Sequence, residues 1–185
     1  EPPRPWLALT MGVSGSGKSS QTQPLIEQRG LVRVRADVER KRLFGLAPEA
    51  SSAHVPGGIY SEATSDRVFA RLLQVTRDAL QAGQPVLVDA TFIRRERRAP
   101  FIALAESLGV PWRILAFDAP EAVLRERVRR RHASGGDASE AGLAVLESVR
   151  AVRDRKGLLE LAEWLAPALE LGRKIAGREI SAPEA

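Results

Sequence analysis

Residues 12–19 read Gly12-Val13-Ser14-Gly15-Ser16-Gly17-Lys18-Ser19. Their spacing, G-x-x-x-x-G-K-[ST], is that of a loop wrapping phosphate groups. Gly12, Gly15 and Gly17 let backbone N–H groups turn inward around phosphate oxygens, where side chains would block the approach. The loop then feeds a helix N-terminus, whose unpaired donors and positive dipole end favour an anion. Lys18 is expected to reach the β- and γ-phosphates, and the Ser19 hydroxyl to ligate Mg²⁺. Ser14, Ser16 and Ser20 complete the expected nucleotide-binding set, so ATP and Mg²⁺ are the implied cofactors. The competing reading, a Gly/Ser-rich turn with a chance lysine, has to ignore the flanks. An apolar run at 6–11 precedes the loop and a helical pattern follows it.

Other residues could join this chemistry. In an open parallel sheet, ligands sit outside the carboxyl ends of the strands. Asp37, Asp89 and Asp118 each follow an expected strand. Asp37 in Asp37-Val38-Glu39-Arg40 can act as base for a substrate hydroxyl, with Arg40 one turn on to orient it or hold a phosphate. It can equally be the N-cap of a helix. Asp89 ends Val86-Leu87-Val88-Asp89 and is expected to ligate Mg²⁺ through water or to fix a neighbouring arginine; an Asx turn is the plainer reading. Thr91 is positioned to bond a substrate or the same metal shell.

Residues 124–131, Leu-Arg-Glu-Arg-Val-Arg-Arg-Arg, put Arg127 and Arg131 on one helix face and Arg125 and Arg129 on another. Such a segment can be a lid closing arginines on a transferring phosphoryl group. It can also be a solvated helix compensated by Glu121 and Glu126. A second basic cluster, Arg94 to Arg98, reads as readily as a solvated face. His54 and His132 lack ligand spacing. Trp6, Trp112 and Trp164 read as core residues.

These residues need elements to hold them. Strands are expected at 6–11, 31–35, 86–88 and 114–117. Helices are expected at 18–29, 37–44, 61–81, 95–108 and 120–132, with more helix over 139–166. Residues 45–60, rich in Gly, Pro and Ser, read as a mobile loop ending at Tyr60 that would cover a substrate. The alternation predicts an α/β fold with a parallel sheet covered by helices.

The 185 residues suit one domain, expected over 6–180 with a linker remnant at 1–5 and a tail at 181–185. The Pro-rich start, at Glu1 rather than methionine, suggests an upstream fused domain. No apolar run approaches the ~20 residues of a membrane span. The lack of cysteines fits a reducing cytoplasm and excludes disulfides and thiolate metal sites. A net charge of +5 favours anionic partners.

The stretches at 12–19, Arg35-Ala36-Asp37-Val38-Glu39-Arg40-Lys41-Arg42, Val88-Asp89-Ala90-Thr91-Phe92, Leu124-Arg125-Glu126-Arg127 with Arg131, and Gly136-Asp137-Ala138-Ser139-Glu140-Ala141 resemble the small P-loop kinases of the zeta-toxin, gluconate-kinase and polynucleotide-kinase type. The resemblance covers about residues 6–146. Within that group the chain looks most like the ATP-binding kinase-like domain fused behind aminoglycoside-phosphotransferase-like domains in bacteria. It implies a three-layer P-loop NTPase fold with a helical arginine lid. It also implies Asp37 as the base beside Arg40, and Arg127 and Arg131 as lid arginines. The expected late strand of that group has no counterpart in the helical pattern over 158–175. The expected activity is ATP- and Mg²⁺-dependent transfer of the γ-phosphate to a hydroxyl. Lys18, Asp37, Arg40, Arg127 and Arg131 would be catalytic, and Ser19 and Asp89 would hold the metal. Asp37, Arg40, Tyr60 and Thr91 would meet the acceptor. Two other readings stand beside it: a polynucleotide 5′-hydroxyl kinase, which lacks an aromatic stacking surface here, and a regulatory nucleotide-binding ATPase module.

Overall fold

The computed structural model describes residues 4–117 and 119–134. Asp118, the break at 135–137, the helix expected over 139–166, Trp164 and the late-strand region lie outside the described residues, as do Pro2 and Pro3. The described chain runs β1 (Leu7–Met11), α1 (Lys18–Arg29), β2 (Val32–Arg35), α2 (Ala36–Arg42), α3 (Glu62–Gln81), β3 (Val86–Asp89), α4 (Arg95–Ser107), β4 (Trp112–Ala116) and α5 (Glu121–Ser134).

The four strands form one parallel sheet in the order β2-β3-β1-β4. This accounts for their composition. Central strands β1 and β3 are buried at every position because helices cover both faces. Edge strands β2 and β4 carry arginines and are more open. β4 begins at Trp112, two residues before the expected start, because Pro111 already accepts a backbone bond from Leu7 N.

The connections split between the two faces. From β1 the chain passes through α1 to β2, and from β3 through α4 to β4, so adjacent β1 and β3 send their helices in opposite directions. Right-handed crossovers then put those helices on opposite faces. Packing agrees: Leu25 and Ile26 of α1 meet Ala8 and Leu87 on one face. Val68 and Leu72 of α3, with Phe101 and Ala105 of α4, meet Leu7, Leu9, Val86 and Val88 on the other. The result is a three-layer α/β fold whose crevice opens where β1 and β3 diverge, at their carboxyl ends.

Two features fix that crevice. Thr10, fully buried in β1, donates its Oγ1 to Ala90 O at 3.0 Å and accepts from Ala90 N at 3.1 Å. These bonds extend the β1–β3 contact past the last ladder pair, Leu9 with Val88. Phe92, also fully buried, makes edge contacts with Phe69 and Phe101 at centroid separations of 5.3 and 5.1 Å. Each such pair adds about 0.5–1.5 kcal/mol beyond area burial. The core aromatics are thus phenylalanines. Trp6 and Trp112, expected in the core, are half-buried at its margins. Among the described residues no helix is long and apolar enough to cross a membrane.

Candidate functional site

The loop after β1 enters α1 through Gly17, an N-cap in the left-handed region (φ 93°) with no side-chain cap and no acidic residue in the following turn. The first donors of α1 therefore face the crevice without an internal carboxylate. Gly15 (φ 82°) has a second reason to be glycine: a Cβ there would lie 3.1 Å from Leu124 O and 3.3 Å from the Val128 side chain. Helix α5 sits directly on this loop, sealed by Val13, Leu124 and Val128 with Ile93 and Ala119. Lys18 arches back over the loop, its Nζ donating to Gly12 O and Val13 O, both at 2.8 Å. Ser14 is half-buried. Ser16 Oγ is buried and has no hydrogen-bond partner among the described residues. Ser20 turns its hydroxyl to Gly17 O at 3.1 Å.

Ser19 Oγ donates to Asp89 Oδ2 at 2.8 Å. Thus the first turn of α1 meets the end of β3, as expected of two motifs that each follow the carboxyl end of a parallel strand. The same oxygen accepts from Arg33 Nη2 at 2.8 Å and lies 4.0 Å from Arg35 Nε. Arg33 Nη2 also reaches Ser19 O at 2.8 Å and Thr22 Oγ1 at 3.3 Å. Asp89 thus fixes an arginine, but sequence reasoning missed which one. The available signal was the alternation Val32-Arg33-Val34-Arg35 in β2, which puts both arginines on the face Asp89 shares through the Arg35–Asp89 register.

Asp37 is not an N-cap. β2 runs straight into α2, Arg35 is the capping residue without a side-chain bond, and Asp37 stands second in the helix. Its carboxylate is therefore not committed to a cap, and it lies two residues beyond the Arg35 that pairs with Asp89.

Arg40, expected to face a phosphate, is instead buried, its Nη1 donating to Ile59 O at 3.0 Å, with Ser65 Oγ 3.4 Å away. Its guanidinium lies 5.0 Å from the Tyr60 ring centroid. Burial lowers its pKa, opposed by the nearby charges of Asp37 and Tyr60. The neighbouring Lys41 is fully buried and donates to Pro48 O at 2.8 Å. Buried Glu39 pairs with Arg42 and, at 3.5 Å, with Arg71 of α3. Three consecutive charged side chains of α2 thus point inward. The segment at 45–60, expected to be mobile, is tied to α2 near both ends.

On α5 the two readings of the arginine helix divide the residues between them. Arg125 pairs with Glu121 at 2.9 Å and Arg130 with Glu126 at 2.8 Å, the compensated surface pattern. Arg127 reaches across to Gly15 O at 3.2 Å. Arg131 belongs to α5, but its side chain lies outside the described residues. In the basic cluster on α4, Arg94 and Arg97 pair with Glu62 at 2.8 and 2.9 Å. Arg98 turns inward to the carbonyls of Phe92 and Ile93, steadying the turn that carries half-buried Thr91. Burial lowers its pKa as well.

The site fits a magnesium nucleotide. It combines an uncapped helix start, a loop lysine, a serine hydroxyl beside a carboxylate, and an arginine from a covering helix. No group of three His, Cys, Asp or Glu residues able to hold a metal occurs among the described residues. Mg²⁺ is usually bound by one or two protein groups plus substrate phosphates, and Ser19 with Asp89 offers such a pair.

Similar solved structures agree with the fold. A sugar kinase from Janibacter sp. HTCC2649 is 21% identical, covering 80% of this chain and 76% of that one, with a TM-score of 0.57. A gluconokinase from Sinorhizobium meliloti 1021 is 22% identical over 80% and 74%, with a TM-score of 0.51. An APS kinase from Mycobacterium tuberculosis, in complex with AMPPNP and APS, is 20% identical over 83% and 98%, with a TM-score of 0.52. At these identities the shared property is the P-loop kinase fold. No curated protein matches the chain. The sequence itself matches a described family over residues 7–156, a span holding the phosphate loop, both β2–α2 and β3 motifs and α5, and the chain therefore belongs to the AAA domain family.

Proposed function

We propose that this protein is an ATP- and Mg²⁺-dependent phosphotransferase that moves the γ-phosphate to a hydroxyl of a small-molecule acceptor. The observation that carries this reading is the location of Asp37. It stands at the carboxyl edge of the sheet, two residues past the Arg35–Asp89 register pair, with Asp89 on the Ser19 hydroxyl. Because Asp37 does not cap α2, its carboxylate is left to accept a proton from an attacking hydroxyl.

In this reading the loop amides and Lys18 hold the β- and γ-phosphates. Ser19 and Asp89 would hold Mg²⁺, which when bound supplies positive charge against the phosphate oxygens. Asp37 accepts the proton of the attacking hydroxyl. Arg127, with Arg131 one turn on, neutralises charge on the transferring group. Arg40 acts through Tyr60 and Ile59, orienting the acceptor side, and Thr91, in the turn after β3, would bond the acceptor. Catalysis is then mainly positioning and charge compensation.

A small acceptor is favoured over a polynucleotide end because much of the basic excess is engaged internally. Arg40 and Lys41 hold loop carbonyls, Arg42 and Arg71 hold Glu39, and Arg94 and Arg97 hold Glu62. Such groups do not line a backbone-tracking groove. The test is a screen of sugars, nucleosides and 5′-hydroxyl oligonucleotides with γ-labelled ATP. Label should move to a small hydroxyl compound. ATP turnover indifferent to every acceptor would instead support the regulatory ATPase.

A further inference from the structure

We propose that Arg33 is a positioning residue that makes the metal enter together with the nucleotide. It orients Asp89 and Ser19 for the metal while keeping the pocket's own affinity for a bare divalent cation low. The inference rests on the nucleotide-site reading above.

Three contacts converge on one atom, Asp89 Oδ2: the Ser19 hydroxyl at 2.8 Å, Arg33 Nη2 at 2.8 Å and Arg35 Nε at 4.0 Å. A serine hydroxyl has one proton and two lone pairs. Because that proton goes to Asp89, the lone pairs of Ser19 are turned away from the carboxylate, as a metal ligand requires. The Arg33 nitrogen that holds Asp89 also holds Ser19 O at 2.8 Å, so one guanidinium fixes both the carboxylate and the backbone of the ligating serine. Side-chain exposure is 17% for Arg33 and 5% for Asp89, so water screens this pair weakly.

The same arrangement disfavours a metal without phosphates. Two guanidinium groups face a single carboxylate. A dication approaching Asp89 therefore meets a carboxylate whose charge is already compensated. Triphosphate oxygens supply the missing negative charge, so the metal is favoured only as the nucleotide complex.

The probe is Mn²⁺, titrated into the nucleotide-free full chain and followed by the electron paramagnetic resonance of the free ion. Wild type should bind it weakly. Arg33→Gln leaves a buried carboxylate without its counter-charge and should tighten Mn²⁺ binding by roughly tenfold or more. Arg33→Lys, which keeps the charge, should stay within about twofold of wild type. Arg35→Gln, at the longer distance, should tighten it by about two- to threefold. Adding Asp89→Asn to Arg33→Gln should return the affinity to the wild-type level. The proposal fails if Arg33→Gln gains no affinity, or if the gain survives loss of Asp89. Should Arg33→Gln not fold, an unchanged affinity in Arg35→Gln overturns it. Binding of a fluorescent ATP analogue with Mg²⁺ to wild type separates the two claims. If the analogue binds while Arg33→Gln gains nothing, only the Arg33 assignment falls. If the analogue does not bind, the nucleotide-site reading falls.

Discussion

The Lys41 ammonium donates to the carbonyl of Pro48 at 2.8 Å from a side chain that is fully buried. One position earlier, Arg40 holds Ile59 O at 3.0 Å. Helix α2 therefore grips the 46–60 segment near both ends, and the same short helix carries Asp37 one turn earlier. The segment proposed to cover the acceptor and the proposed base are thus anchored to one short helix.

Replacing the clamp should release the segment without dismantling the sheet. Lys41→Met keeps the length and apolar stem but leaves Pro48 O unpaired, at a cost of about 1–3 kcal/mol. Urea unfolding should show that loss, and limited proteolysis should show new cleavage within 46–60. A protease pattern identical to wild type would remove the clamp role.

Asp37→Asn keeps shape and hydrogen bonding but cannot take a proton. Phosphoryl transfer should drop by at least ~100-fold while ATP affinity stays nearly constant. Lys18→Ala should show the opposite pattern, losing ATP binding itself. Equilibrium binding of a fluorescent ATP analogue, set beside single-turnover transfer, distinguishes the two. Normal turnover in Asp37→Asn would end the base assignment.

Gly15→Ala combines a strained backbone with a close approach. The φ of 82° disfavours any Cβ, and the new atom would meet Leu124 O at 3.1 Å. The expected outcome is a loss of about 1–3 kcal/mol in stability, with α5 pushed off the loop. Thermal unfolding checks the first part. Hydrogen exchange at Leu124 and Val128 checks the second, which predicts faster exchange there than in wild type.

Thr10→Val removes a hydroxyl that serves both Ala90 N and Ala90 O. Both backbone groups stay buried, so the near-isosteric change should cost about 1–3 kcal/mol. Because Ala90 follows Asp89, nucleotide affinity should fall as well. Stability lost with affinity untouched would limit Thr10 to a purely architectural part.

Much of this was legible in sequence because it depends on local order. The spacing from Gly12 to Ser19 specifies a loop and a helix start whatever surrounds them, and period and run length specify four strands and their alternation with helices. The parallel sheet follows, and with it the gathering of Ser19 and Asp89 at one edge. What stayed hidden was the partner of each charge. In sequence nothing marks Glu39 and Lys41 as buried, Arg40 reads as a group facing the substrate, and Arg33 looks like an ordinary edge-strand residue. Their burial is decided by segments outside the helix or strand that carries them: 46–60 returning over α2, α3 packing on Glu39 through Arg71, and β3 bringing Asp89 to β2. Local propensity carries no information about such long-range neighbours. A charge turned inward is tolerated only when the completed fold supplies its counter-charge or carbonyl. Sequence alone therefore determined the loop and helix start of the proposed donor side, and only the tertiary structure decided which charged side chains are held around it.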